Sequence, residues 1–328
     1  MIDALGFDFD AAVQAPFRMQ PGLRRLADGA CQLTPSVAPQ RGTARHLREK
    51  LAVLWAYPLQ ALCCAPGFDP APALAALSAH AAIEHPEAWV AHDTGGCEAR
   101  WLGWRLDAQL EPHASPGCGW PEIGALLLAT PAHWRLTVLL SLAFAEDFAI
   151  VDAASGTLPW LAVALPSMWA PETKLGLAFA EIHAAVADND RVVAAAQPLL
   201  NLISGTQRWE RFVWTLTGHP RLHAHPQRMP VPRWPSGLEG EVLTGDTLAR
   251  LTWWRTERQT FIPVPAQRQA VFTIAVNTQR LPEAINSPAQ ALAVHDALAS
   301  MSDAVLDYRG LAPVRAPLLA WLAARAAA

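Results

Sequence analysis

The chain has 328 residues and a formal charge of −4 at pH 7, with 52% hydrophobic and only 16% charged residues. So large an apolar share supplies a buried core and excludes a disordered chain. The slightly acidic balance excludes a general nucleic-acid partner, which needs clustered, uncompensated Lys and Arg.

The opening MIDALGFDFDAAVQ carries acids where a signal peptide needs a basic start and an apolar run. The longest apolar stretches, such as residues 136–145, fall short of the roughly 18 residues of a membrane span. A cytoplasmic protein with no membrane partner is expected. Residues 1–45 are broken by proline and glycine, as in PFRMQPGLRRLADG and LTPSVAPQRG, and read as an extended arm. No linker or internal repeat divides the remainder, so 46–328 is expected to form one compact domain. Residues 42–55 read as a helix with Leu47, Leu51 and Leu54 on one face, and 69–80 as a second. The stretch 84–120 is loop-rich, with short strands around 101–106. Helices return at 120–128 and 131–145.

Beyond that point the pattern changes. Residues 158–165 are a short apolar run closed by Pro166, which suits a buried strand. Residues 209–217 alternate, with Phe212, Trp214 and Leu216 on one face and Arg211, Val213 and Thr215 on the other. Two more strands are expected at 251–262 and 270–277, joined by the turn-like PVPAQR, and a last helix at 313–327 docks outside. Long antiparallel strands with helices on one side make an α+β fold.

Five cysteines (Cys31, Cys63, Cys64, Cys97, Cys118) form an odd set without CxxC spacing. They read as buried, unreactive thiols rather than as disulfides or a zinc site. The 14 tryptophans suit a core around a flat cofactor and an ordinary core alike.

The segment LPSMWAPETKLGLAFAEIH carries the sharpest signal. Pro171 suits a first helical turn and Glu172 its dipole. Leu175, Phe179 and Ile182 then share a face, with His183 at its edge, so a helix over 171–183 is expected. Gly176 in mid-helix costs roughly 1 kcal/mol relative to alanine and suggests a close approach there. From spacing alone His183 is a core histidine or a ligand whose second nitrogen bonds a carbonyl.

The runs EDFAIVD, LPSMWAPETKLGLAFAEIH, RWERFVW, RTERQTF with AVFTIAVN, and LDYRGL occur in that order, after PFRMQPGLRRL near the start. Over nearly the whole chain this series resembles the alpha-subunit family of haem-dependent oxidative N-demethylases, of which the chain is a divergent member. The resemblance implies a PAS-like antiparallel sheet holding haem b, with His183 as iron ligand. It implies oxygen as oxidant, electrons from a separate flavin or iron–sulfur reductase, and a small N-methylated amine that loses formaldehyde. A non-catalytic haem or ligand sensor, or a scaffold subunit of the same fold, is the competing reading.

One departure is Val213, where the family pattern Arg-x-Asn-Trp has an amide. Lys174, Arg211 and Arg258 are the arginine and lysine candidates for haem propionates. Arg255 and Glu257 share one face of their strand and Arg258 lies on the other, which also fits a cross-strand ion-pair set. Glu146 and Asp147 either hold an amine cation or cap a turn; with Trp214 they form the candidate catalytic set. His219, His223 and His225 lack a helical i, i+4 pair and read as exposed loop imidazoles rather than a metal site.

Overall fold

A computed structural model describes residues 3–37, 44–93, 95–115, 119–184, 186–229, 234 and 245–328. Among these, eleven strands make two antiparallel sheets: β1 (Arg24–Arg25), β2 (Leu62–Cys64), β3 (Trp89–Ala91), β4 (Cys97–Ala99), β5 (Trp104–Leu106), β6 (Pro112–Ala114), β7 (Asp147–Asp152), β8 (Thr157–Ala162), β9 (Trp209–Thr217), β10 (Trp253–Val264) and β11 (Gln269–Arg280). The larger sheet runs β1-β9-β10-β11-β7-β8-β2, the smaller β3-β4-β5-β6. The fold is α+β, as the patterning predicts.

The hairpin of β10 and β11 is the spine of the larger sheet. Its register runs from Trp253 opposite Arg280 to Val264 opposite Gln269, filled with the aromatic and β-branched residues that suit a pleated surface. At the tip Pro265 opens a single 3-10 turn, and Arg268 takes a left-handed conformation (φ +52°) that brings its N–H to Pro265 O at 3.0 Å.

Alternation then assigns the two faces. Phe148, Ile150, Trp160 and Ala162 turn into the main core beneath the helices Arg45–Ala56, Ala71–Glu84 and Ala132–Ala143. On the same face, Trp214, Leu216 and Trp254 join a second core with Pro288–Ala299, Asp303–Arg309 and Arg315–Ala326. The last helix docks through Leu318, Trp321 and Leu322. The opposite face pairs Thr215 with Arg255, Val213 with Glu257, Arg211 with Gln259, Phe261 with Phe272, and Phe272 with Ala149. Among the described residues that face carries no helix layer of comparable size; it is the floor of a cavity.

Within the N-terminal segment, Phe7, Phe9 and Val13 enter the second core, and Arg24 and Arg25 pair with Glu210 and Trp209 at the sheet edge. Cys63 and Cys97 are buried and free, their thiols pushed up to about 11 and about 12 by desolvation. Cys64 is half-buried and Cys31 exposed, so burial does not extend to every thiol; Cys118 lies outside the described residues. No helix among the described residues is long and apolar enough to cross a membrane.

Gly124, in the helix Pro121–Ala129, lies against the Trp104 ring, which a hydrogen bond from Nε1 to Trp120 O (2.9 Å) holds in place. A methyl group on Gly124 runs into that ring. Gly124→Ala is expected to lower stability by about 1–3 kcal/mol, the usual cost of overpacking, read as a fall in the denaturant midpoint.

Candidate functional site

The segment 166–184 folds back over the sheet and roofs the cavity. The helix expected over 171–183 is not continuous. Pro171–Thr173 is a 3-10 turn and Phe179–His183 a separate five-residue helix. The break is Gly176, whose φ of +72° no helix accommodates. Its N–H instead donates to Leu158 O (2.8 Å), and Phe179 N–H donates to Gly156 O (3.0 Å), tying the roof to β8. A Cβ on Gly176 would meet nothing within 4 Å. The glycine therefore makes the turn; it does not admit a close neighbour. Glu181 Oε2 reaches back to accept from Ala178 N–H (2.7 Å) and starts the short helix.

Roof and floor enclose about 660 Å³, within the roughly 300–1,000 Å³ of small-molecule sites. The floor is divided. Ala149, Val151, Leu161, Phe261, Phe272 and Ile274 make an apolar half, while Arg211, Thr215, Arg255, Glu257 and Gln259 make a polar half along β9 and β10. His183, Lys174, Phe179 and Trp169 are among the roof residues.

His183 is half-buried, and its Nδ1 lies 2.8 Å from Phe179 O. A carbonyl only accepts, so Nδ1 carries the proton and Nε2 keeps its lone pair. The Phe179 ring, 4.2 Å away between centroids, fixes the imidazole plane. Burial lowers the His183 pKa below its ordinary value; the bond to Phe179 O opposes this, and the charges of Arg211 and Lys174 reinforce it. The side chain is a neutral, oriented imidazole, the state in which histidine binds a metal.

Two cations face the cavity uncommitted. Arg211 has no hydrogen-bond or ion-pair partner among the described residues, and its Nε is buried without one. Desolvation lowers its pKa, with Glu257 acting at longer range in the other direction. Lys174 likewise has no ion pair among the described residues. Arg255 and Arg309 differ. Arg255 donates to Ser167 Oγ, Arg221 O, Pro166 O and Leu222 O. Arg309 donates to Trp214 O (2.8 Å) and lies over Phe17, with desolvation bringing its pKa to about 10. Trp214 lines the cavity and stacks on Trp254 at 4.8 Å, its Nε1 buried without a partner.

Three of the sequence candidates lie elsewhere. Arg258 is on the opposite face of the sheet, where it pairs with Glu210 (3.0 Å) and donates to Cys31 O. Glu146 and Asp147 are buried outside the cavity. Glu146 Oε2 accepts from Thr34 N–H, and Asp147 accepts from Leu165 N–H and pairs with Lys50. Nor are the loop histidines exposed as expected. His225 is buried against Glu172 (3.1 Å), which spends that carboxylate on the roof instead of on a helix dipole. His223 bonds Ala164 O, and His219 lines the cavity with its pKa brought down to about 4 by burial and by Arg255 and Arg221. No three of these histidines form a metal cluster. Among the described residues Cys31, Glu84 and His85 do lie together, but Glu84 is saturated by Gln32 N–H, Leu33 N–H, His80 and Arg208.

Sequence reasoning passed over Gln259 and His219 as cavity residues. Gln259 was open to discovery through its register opposite Arg211. His219 was not, because only the tertiary fold returns its loop to the roof. The donor set suits a flat, doubly anionic macrocycle: one neutral imidazole with a lone pair, two unpaired cations including an orphaned buried guanidinium nitrogen, and an apolar floor.

A family model described as haem-dependent oxidative N-demethylase, alpha subunit-like, matches residues 125–319, more than half of the chain. The match includes every cavity-lining residue except Met19 and leaves the N-terminal PFRMQPGLRRL motif outside.

Proposed function

The chain belongs to the haem-dependent oxidative N-demethylase alpha subunit-like family, and on that premise we propose that its cavity holds haem b on His183 and oxidises the N-methyl group of a small amine. The observation that carries this reading is the His183 imidazole, neutral and oriented by Phe179 O at the cavity wall. Lys174 and Arg211 would hold the two propionates. The guanidinium fork suits a carboxylate, and ion pairing satisfies the buried Arg211 Nε. The apolar half of the floor excludes water from one face. When bound and reduced, haem supplies the activation of oxygen that turns the N-methyl carbon into formaldehyde. The electrons come from a partner reductase, in keeping with a family named for a subunit. Trp214 acts from the second core by backing the floor through its stack on Trp254.

Purified protein supplied with haem, oxygen, a reductant and a panel of N-methylated amines is expected to release one formaldehyde per amine consumed. A Soret shift on amine binding without formaldehyde would instead make the chain a sensor, and a protein that takes up no haem would end both readings. Arg211→Gln tests the propionate contact separately. A charge-assisted hydrogen bond contributes about 1.5–3 kcal/mol, so the variant is expected to lose haem to an acceptor globin at least about tenfold faster.

A further inference from the structure

One flank of the molecule is apolar at its centre and basic at its rim. The helix Arg45–Ala56 turns Ala52, Trp55 and Ala56 to solvent, and Leu59 follows in the short helix Pro58–Ala61. Trp55 is 47% exposed and Leu59 85%, although tryptophan is ordinarily among the more buried side chains. The loop 218–229 runs along this helix. Arg45 donates to Pro220 O, Glu49 accepts from Leu222 N–H and His223 N–H, and Arg228 lies over the Tyr57 ring at 4.0 Å. Between them the helix and the loop carry one carboxylate, Glu49, and Arg45 pairs with it at 3.2 Å. Arg48, Arg221 and Arg228 are exposed, and none has an ion-pair partner among the described residues. In a chain of net charge −4 this is a local surplus of positive charge. The same loop is a wall of the cavity. Pro226 and Met229 line it, while Gln227 and Arg228 between them are exposed. A single 3-10 turn, Pro226–Arg228, separates the surface from the cavity, and His225 ties that turn to the roof through Glu172 (3.1 Å).

Resting on the demethylase reading above, we propose that this flank is the docking face for the electron donor, a protein with a flavin or iron–sulfur centre behind an apolar spot rimmed by acids. Trp55 and Leu59 are the apolar anchors, and Arg48, Arg221 and Arg228 steer and orient the acidic rim. One electron leaves the partner's reduced centre, crosses the Pro226–Arg228 turn and takes the haem iron from ferric to ferrous; no bond forms or breaks. So small an apolar centre suits the brief encounters of electron-transfer proteins, whereas a permanent interface buries more apolar area. A second copy of this chain is the poorer occupant. A two-fold interface pairs a patch with itself, which here sets arginine against arginine.

The probe is a plant-type 2Fe–2S ferredoxin, an acidic one-electron protein donor, and the control is dithionite, which needs no docking face. Stopped-flow reduction of the ferric holoprotein by reduced ferredoxin is expected to saturate with ferredoxin and to slow as salt is raised. Arg48→Glu combined with Arg228→Glu should slow that reduction, and Trp55→Ser should weaken ferredoxin binding, by at least about tenfold each. The Soret band and the dithionite rate should stay unchanged. All three side chains are exposed, so the variants leave the core intact. Unchanged reduction by ferredoxin in both variants overturns the proposal, and so does an equal slowing with dithionite, which would place the fault inside the cavity. A wild-type dimer in sedimentation that Trp55→Ser dissociates would overturn it too, by making the face a self-interface. A protein that takes up no haem would sink the haem reading instead. Calorimetric titration of that protein with ferredoxin, and its loss in Trp55→Ser, would still decide the docking face.

Discussion

Replacing His183 with alanine is expected to abolish or strongly shift the Soret band and to weaken haem retention by more than the 10–100-fold typical of losing a residue that only orients a metal ligand. Among the described residues no second histidine shares the place of His183 beside Lys174 and Arg211. His219 is the other histidine in the lining, and its loop follows the far end of β9, where Arg255 and Arg221 act on it; His183 feels Arg211 and Lys174. Truncation leaves a hole of imidazole size above Phe179, so added imidazole should restore the spectrum. Full occupancy with an unaltered band would remove His183 as ligand. The pH dependence has a definite sign. The folded pKa of His183 lies below its ordinary value, so the group is neutral above the unfolded value of roughly 6.5, and both ligation and the stability from burying it neutral are complete there. Both are lost as the pH falls through the lower, folded value. Acid titration of the spectrum should therefore begin below the usual histidine range. A midpoint at or above it would show that the imidazole is not held as described.

The strands were legible because their patterns are local. Alternation through Phe212, Trp214 and Leu216 gives β9 and its two faces, and the Pro-bounded turn after Val264 gives the β10–β11 hairpin. His183 and Arg211 reach the cavity on elements that the spacing and the ordered motifs single out. The misplacements arise from interactions that a spacing rule does not contain. Gly176 reads as a costly helix interior, yet its positive φ turns the chain onto β8, an arrangement set by Leu158 O and Gly156 O far from any helical period. Arg258 was a propionate candidate by residue type, but parity puts it opposite Arg255, and Glu210 is its partner. Lys50 had no role in the reading at all. It occupies the buried face of a helix whose leucines carry the visible pattern, and its partners lie almost a hundred residues further on.

Lys50→Met is expected to be the most destabilising single change considered for this fold, at about 3–5 kcal/mol, the cost of leaving one member of a buried ion pair unpaired. The ammonium is fully buried, and desolvation lowers its pKa against the opposing pull of Asp147 and Glu146. Lys50 Nζ donates to Phe144 O (3.1 Å) and Glu146 O and lies 3.3 Å from Asp147 Oδ1. Asp147 Oδ2 in turn accepts from Leu165 N–H at 2.6 Å. Four pieces of chain meet there: the helix Arg45–Ala56, the end of Ala132–Ala143, the start of β7 and the residue just before the cavity roof. Methionine fills the volume but strands the carboxylate and two carbonyls. Lys50→Met combined with Asp147→Asn should recover part of the loss, because no charge then remains buried alone. The same pair of variants separates the two roles open to Asp147. As a positioning group, Asp147→Asn lowers the midpoint of unfolding and leaves the Soret band and amine affinity of the folded protein intact. As a cation-holding group it would do the reverse, weakening amine binding at unchanged stability. The burial of Asp147 at the start of β7, outside the cavity lining, with one oxygen on Leu165 and the other facing Lys50, requires the first outcome.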